Sequence, residues 1–352
     1  MSDPVSQTGA ERIRSRLDYR PINSRPRRRL PGGARIIVWT IVNVEVWSPD
    51  APMPRAVLPP PMGQPLLPDV PNWAWHEYGM RVGFGRFLET LDARGLKASF
   101  AVNGAACEVY RTACEQAHER GWEFIGHGFV QRPMHRVEDQ GDAIRRTIDA
   151  IAQLTSRPPR GWESPGLTET ADTLDKLSEA GLEYVCDWCL DDQPVTLRAE
   201  PRPIVALPYP VEVNDVVITA VQGHASDEIY RRGVDQFDRL YREGADQPRV
   251  MGISIHPFLT GAPHRIKYLE ALYNHILSHE GVLMWTGSQI LDWHKAEEAA
   301  GRGGCHSRES GKIGFENARV PSWPGLARPS TPGRAAQVRV YGAAGARNAL
   351  KF

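Results

Sequence analysis

The sequence predicts an α/β protein, a distorted (β/α) barrel of seven or eight strands in one domain over residues 34–296. Three observations predict it. An amphipathic helix ends at a Gly, and a strand starts about two residues later, a unit that recurs along the chain. About eight such strands fall within roughly 260 residues with short turns between, which implies a mainly parallel sheet with crossover helices. Strand after strand also stops on a polar side chain. The clearest case is Trp122–Ile125, which halts at Gly126 before His127.

Composition sets the bounds. The 352 residues carry 42 Lys and Arg against 42 Asp and Glu, so no global field favours nucleic acid or a membrane surface. No apolar run approaches the ~20 residues of a membrane span. The first thirty-five residues hold nine Arg but no apolar core, so they do not read as a secretory signal. Five cysteines argue against a disulfide framework and fit a reducing compartment, so a soluble cytoplasmic protein is expected.

In chain order, residues 1–33 form a polar, Arg-rich arm, expected to lie over the first strand. Ile36–Val42 (IIVWTIV) is that strand, β-branched on consecutive positions as burial on both faces requires. Residues 48–72 are too rich in Pro for regular structure and read as a long functional or subunit-contact loop. Trp73, Trp75, His76 and Tyr78 close it.

Helices follow at Phe84–Arg94, Val109–Arg120, Ala143–Leu154, Thr170–Ala180, Asp227–Glu243, Arg265–Ser278 and from Ser288 to about Glu298. Strands are KASFAV, WEFIG, RGW, LEYVC, IVALP, VVITAV, VMGISI and VLMW. Cys186 and Cys189 form a CxxC with no second pair, which reads as packing rather than zinc binding. Cys107 and Cys114 lie seven apart on one helical face and read as core. Residues 297–352, rich in Gly, Pro, Ser and Arg without period, are expected to be a disordered tail.

The polar residues just past the strands are Asn43 and Glu45, Asn103, His127, Glu163, Asp187, Gln222 and His224, and His256. In a barrel these ends converge on one rim, where such enzymes keep their sites. No nucleophile elbow and no phosphate-binding Gly loop is present. Carboxylates and imidazoles without a nucleophile suit hydrolysis by an activated water.

The order of motifs resembles the polysaccharide deacetylase superfamily, which carries the NodB-homology domain. The likeness is greatest to its metal-independent allantoinase branch and the related cytoplasmic peptidoglycan-deacetylase-like proteins. IVNVEVW (41–47), GHGFVQRPMH (126–135), PRGWESPG (159–166), DWCLDDQP (187–194), PYPVEVND (208–215) and ISIHPFLTGAPHR (253–265) stand where that family keeps its motifs. The resemblance implies hydrolysis of a non-peptide C–N bond on a distorted barrel. The metal-dependent members use an Asp in the first motif and two His four residues apart in the second. Here Asn43 and Glu45 stand in the first motif, and His127 is followed by Gln131. No cofactor is therefore expected, a divalent metal such as zinc being disfavoured.

The expected scheme has Glu45 or Asp192 as general base. His127 orients substrate or water, and His256 stabilises the oxyanion or protonates the departing nitrogen. Asn43, Glu163 and Asp187 would contact substrate, with Trp162 and Trp188 as an apolar wall. Which of Asn43 and Glu45 faces the pocket stays open, because a one-residue slip reverses a strand's faces. The substrate class is a small amide, ureide or N-acetyl sugar. Two alternatives remain: a binding protein that has lost catalysis, and a metal-dependent N-acetyl-sugar deacetylase. Neither nucleic acid nor membrane is an expected partner. A homo-oligomer, such as a tetramer, is expected, because loop insertions in this family often lie at subunit contacts.

Overall fold

Nine consecutive residues of β1, Ile36–Val44, are buried, and the rest of the sheet is laid down on either side of them. The computed structural model describes residues 8–303. The further strands are β2 (Ser99–Val102), β3 (Glu123–Gly126), β4 (Gly161–Trp162), β5 (Tyr184–Val185), β6 (Val195–Leu197), β7 (Ile204–Ala206), β8 (Arg249–Ile255) and β9 (Val282–Met284). Their order is β6-β7-β5-β4-β3-β2-β1-β8, with β9 paired to the start of β1. Every pair is parallel except β6 with β7.

The helices are α1 (Gly9–Ser15), α2 (Val70–Tyr78), α3 (Phe84–Asp92), α4 (Ala106–Val109), α5 (Arg111–Glu119), α6 (Gln140–Thr155), α7 (Thr173–Glu179), α8 (Glu228–Glu243), α9 (Ile266–Leu277) and α10 (Gly287–Gly303). Alternation along β1 sorts the core into two layers. Ile36, Val38, Val42 and Val44 pack outward beneath α3, α5, α8 and α9, against Phe87, Phe237 and Tyr273. Ile37, Trp39 and Ile41 fill the barrel interior with Ile125, Tyr184 and Val205. Full burial of each such side chain is worth about 1.5–3 kcal/mol, so β1 alone anchors both layers.

The start of α10 plugs the N-terminal end of the barrel. The backbone N–H of Gly287 donates to Ser99 Oγ at 3.0 Å, and that of Ser288 to Glu123 Oε1 at 2.9 Å. A carboxylate at a helix N-terminus is favoured by the helix dipole. The opposite, C-terminal end is left open for chemistry.

The sheet is a curled, incomplete barrel whose edges are β8 and β6. Their seam is held by Val250 N–H donating to the Asp192 carbonyl and Gln193 Nε2 donating to the Pro248 carbonyl, both at 2.8 Å. VVITAV, expected as a strand here, is instead a π-helical turn over Val216–Val221. Asn214 Oδ1 accepts from the N–H groups of Val216 and Val217, at 3.0 and 3.4 Å. Those donors are thereby taken from any sheet ladder. Gln222 and His224 consequently leave the rim and are exposed.

Other expectations also shift. The antiparallel β6 was not foreseen. The aromatic cluster after the Pro-rich loop lies on α2, and α10 continues through residue 303, so the tail does not begin at 297; residues 304–352 lie outside the described residues. Cys107 and Cys114 are both buried but on separate helices, α4 and α5, while Cys186 is buried and Cys189 exposed. The arm packs its Leu30 into the core layer of Ile37, Trp39 and Ile41 and is tied down elsewhere by its arginines. Arg16 grips Asp175 in the first turn of α7, with one contact at 2.6 Å; Arg25 pairs with Asp191; and Arg28 meets His294 of α10.

Candidate active site

The alternation that puts Ile37, Trp39 and Ile41 inside the barrel continues through Asn43 to Glu45. Both therefore face inward, and the strand's register settles the question of which one does. Asn43 is the deeper, 1 % exposed. Its amide nitrogen donates to Glu163 Oε1 and Oε2 at 3.0 and 3.2 Å, while its oxygen accepts from Ser254 Oγ at 2.9 Å. The reverse orientation would set the amide oxygen against a carboxylate.

Glu45 stands one layer higher and lines a cavity of about 360 Å³ at the C-terminal strand ends, together with His127, Gln131, Glu163, Tyr209 and His256. Its Oε1 accepts from Gln131 Nε2 at 2.9 Å, and its Oε2 accepts from Trp47 Nε1. The same Oε1 lies 3.6 Å from His127 Nε2 and 3.7 Å from His256 Nε2. At 3.6 Å the His127 contact is an ion pair rather than a hydrogen bond, so its buried Nε2 is left without a hydrogen-bond partner.

Each imidazole is held from behind. His127 Nδ1 donates to the Glu163 carbonyl at 2.8 Å, which turns Nε2 into the cavity. Gly128 follows at φ +71°, a backbone that an L side chain rarely adopts, and a Cβ there would meet Pro165 Cγ at 2.7 Å. His256 Nδ1 donates to Asp215 Oδ1 at 2.6 Å. Asp215 Oδ2 accepts from the backbone N–H groups of His256 and Thr260, at 2.8 and 3.2 Å, and from Thr260 Oγ1 at 2.6 Å. The turn carrying His256 is pressed between glycines: a Cβ on Gly79 would lie 2.3 Å from Phe258 N, and one on Gly83 would lie 2.2 Å from the Pro257 carbonyl oxygen.

Burial and charge set the protonation states. Burial would raise the Glu45 carboxyl, but His127 and His256 outweigh it and hold it down to about 2. Burial works against the His127 cation, yet Glu163 and Glu45 raise it to about 9. For Glu163 burial prevails over the pull of His127 and lifts it to about 7. His256 is raised: desolvation opposes its charge, and Asp215 and Glu45 overcome it. At neutral pH the cavity floor is thus an ionised carboxylate between two imidazolium-favouring rings.

Of the expected site residues, Asn43, Glu45, His127, Glu163 and His256 come together. Asp192 does not. It lines a separate surface hollow beside the N-terminal arm, with Arg25 and Leu190, and lies 4.0 Å from Arg249 Nε. Its backbone carbonyl is spent on the barrel seam, which turns it away from Glu45 and removes it as a base. Trp162 is fully buried beneath the rim, its Nε1 donating to Ser164 Oγ at 3.0 Å, and Trp188 is tied to Glu169 at 3.0 Å; neither lines the cavity. The apolar wall is instead Met53, Leu167, Val216, Val217 and Phe258. Asp187 is a support, its Oδ1 accepting from Ser164 N–H at 2.7 Å next to Glu163.

Sequence reasoning passed over Asp215, Tyr209 and Ser254. Tyr209 OH donates to Glu163 Oε1 at 2.9 Å and lies 2.8 Å from Ser254 Oγ. The stretch PYPVEVND holds both Tyr209 and Asp215, but no spacing shows that position 215 meets position 256.

Among the described residues, one group of three side chains has its ligand atoms mutually within 4.8 Å: Asp238 on α8, His275 on α9 and His279 just past α9. The rim does not offer that spacing. Gln131 directs an N–H donor, not a ligand atom, at Glu45.

Residues 76–185 match the family described as Polysaccharide deacetylase. A Schizosaccharomyces pombe protein named "Putative polysaccharide deacetylase" is 30% identical over 233 residues, covering 61% of this chain and 73% of the relative. The peptidoglycan deacetylase of Helicobacter pylori is 23% identical over 246 residues, covering 60% of this chain and 83% of that protein. The crystal structure of PuuE allantoinase superposes with a TM-score of 0.70 at 25% identity, over 80% of this chain and 98% of that one. The chain belongs to the polysaccharide deacetylase family and is, by class, a hydrolase of carbon–nitrogen bonds. Among the described residues no helix is long and apolar enough to cross a membrane.

Proposed function

We propose that this enzyme hydrolyses the amide or ureide C–N bond of a small molecule with a water activated by protein groups and no resident metal. One observation carries the reading: Glu45 Oε1 lies 3.6 and 3.7 Å from the Nε2 atoms of two imidazoles, with Gln131 where a second histidine ligand would stand. Glu45, ionised at neutral pH, accepts the proton of the attacking water. His127, cationic below about 9, faces the oxyanion as charge develops on the carbonyl oxygen. His256, with its Nδ1 proton held by Asp215, presents Nε2–H to the departing nitrogen and protonates it as the C–N bond breaks. Glu163, Tyr209, Asn43 and Ser254 fix the ring of His127 from below.

The four described cysteines are free thiols, which supports a cytoplasmic location. The test is amide hydrolysis by purified protein with and without chelator. Glu45→Gln should lower kcat at least a hundredfold with thermal stability kept, and chelation should leave wild-type turnover intact. Turnover that dies on chelation and returns with zinc would overturn the metal-free scheme.

A further inference from the structure

The cavity is roofed by part of the Pro-rich loop, through Pro52, Met53, Pro54 and Arg55, and flanked by Arg136 from the turn after Pro133. Its two carboxylates are satisfied: Glu45 by Gln131, Trp47 and the imidazoles, Glu163 by Tyr209 and Asn43. Its two guanidiniums differ: Arg136 is exposed and Arg55 half-buried. Among the described residues neither Arg55 nor Arg136 pairs with a carboxylate. Arg55 spends one terminal N–H on the Pro54 carbonyl, at 2.7 Å, and its Nε is sealed from solvent with no acceptor. A buried donor on a cationic group is costly to leave unmade.

From this geometry we infer that Arg55, assisted by Arg136, forms a subsite for a carboxylate on the substrate, so that the enzyme acts on small anionic amides or ureides. The inference rests on the hydrolase reading above and adds the substrate's charge to it. A guanidinium offers parallel N–H donors that match a carboxylate's two oxygens. A cavity of about 360 Å³ suits a molecule of metabolite size. In this role Arg55 contacts the substrate's carboxylate and not the bond that breaks, so its loss should appear mainly in KM.

Matched substrate pairs test this: N-acetylmuramic acid against N-acetylglucosamine, and an N-carbamoyl amino acid against its methylamide. Each pair differs by a carboxylate beside the same scissile amide or ureide. The ratio of kcat/KM, charged over neutral, should favour the charged member in the wild type. That ratio should fall about tenfold to a hundredfold in Arg55→Gln, through KM, with partial recovery in Arg55→Lys. A wild-type preference for the neutral members, or a ratio unmoved by Arg55→Gln, would overturn the subsite. If the wild type hydrolyses neither pair, the hydrolase reading fails on these substrates, and calorimetric binding of the charged members decides the subsite separately. Tight binding to wild type, weakened tenfold or more in Arg55→Gln, supports it; equal or absent binding to both proteins refutes it.

Discussion

Replacing Asp215 by Asn removes a single charge from the back of His256 while keeping the side chain's shape. The Asp215 carboxylate accepts four hydrogen bonds, from His256 Nδ1, His256 N, Thr260 N and Thr260 Oγ1, at 2.6–3.2 Å. All four come from the segment that places His256. An Asn can accept at one oxygen only, and its amide N–H groups face donors at the other position. The loss amounts to one or two charge-assisted bonds, about 2–4 kcal/mol of stability. The chemical effect is larger. Burial disfavours the His256 cation and Asp215 is the main group restoring it, so without the carboxylate the ring's pKa falls and its tautomer is no longer imposed. If His256 is the acid, kcat should drop by about 10²–10⁴, and the alkaline limb of the kcat–pH profile should move to lower pH. Steady-state kinetics from pH 5 to 10, with thermal unfolding in parallel, measures both effects. An alkaline limb that stays in place with near wild-type kcat would refute His256 as the proton donor.

Three further outcomes follow from the same geometry. Gln131→His replaces the amide donor beside Glu45 with an imidazole, and should raise zinc affinity, read by calorimetry against the wild type. Gly83→Ala drives a Cβ to 2.2 Å from the Pro257 carbonyl oxygen, so it should cost about 2–3 kcal/mol in denaturant melts and lower activity by displacing His256. Glu163 binds its proton up to about 7 in the folded protein but only to about 4.5 unfolded. The folded state then holds more protons between these values, and stability should fall as pH rises through that window, by about 3 kcal/mol. Glu163→Gln should flatten that slope; an unchanged slope in urea titrations would assign it to other groups.

The elements legible in the sequence were those whose signal is local. IIVWTIV is buried on both faces because it is β-branched at consecutive positions, and helices such as Glu228–Glu243 and Ile266–Leu277 follow from their amphipathic period. Where local signals conflict, the reading failed. VVITAV has a strand's composition, but the preceding Asn214 side chain caps two of its N–H groups and bends it into a helix. DWCLDDQP does bring Asp187 next to Glu163, yet its Asp191 is spent on Arg25 of the arm and its Asp192 lies in a separate hollow.

The sequence by itself determined the strand-and-helix order, the rim on which chemistry would sit, and three of its groups, Glu45, His127 and His256. Alternation and strand ends are properties of neighbouring residues, so they survive without a structure. Only the tertiary structure decided that Asn43 and Glu45 face the barrel interior, that Asp215 stands behind His256 from 41 residues away, and that Arg55 reaches back over the cavity from a proline-rich loop. Such contacts depend on how β1 and β8 pair and how loops fold across them, and no spacing along the chain encodes that distance.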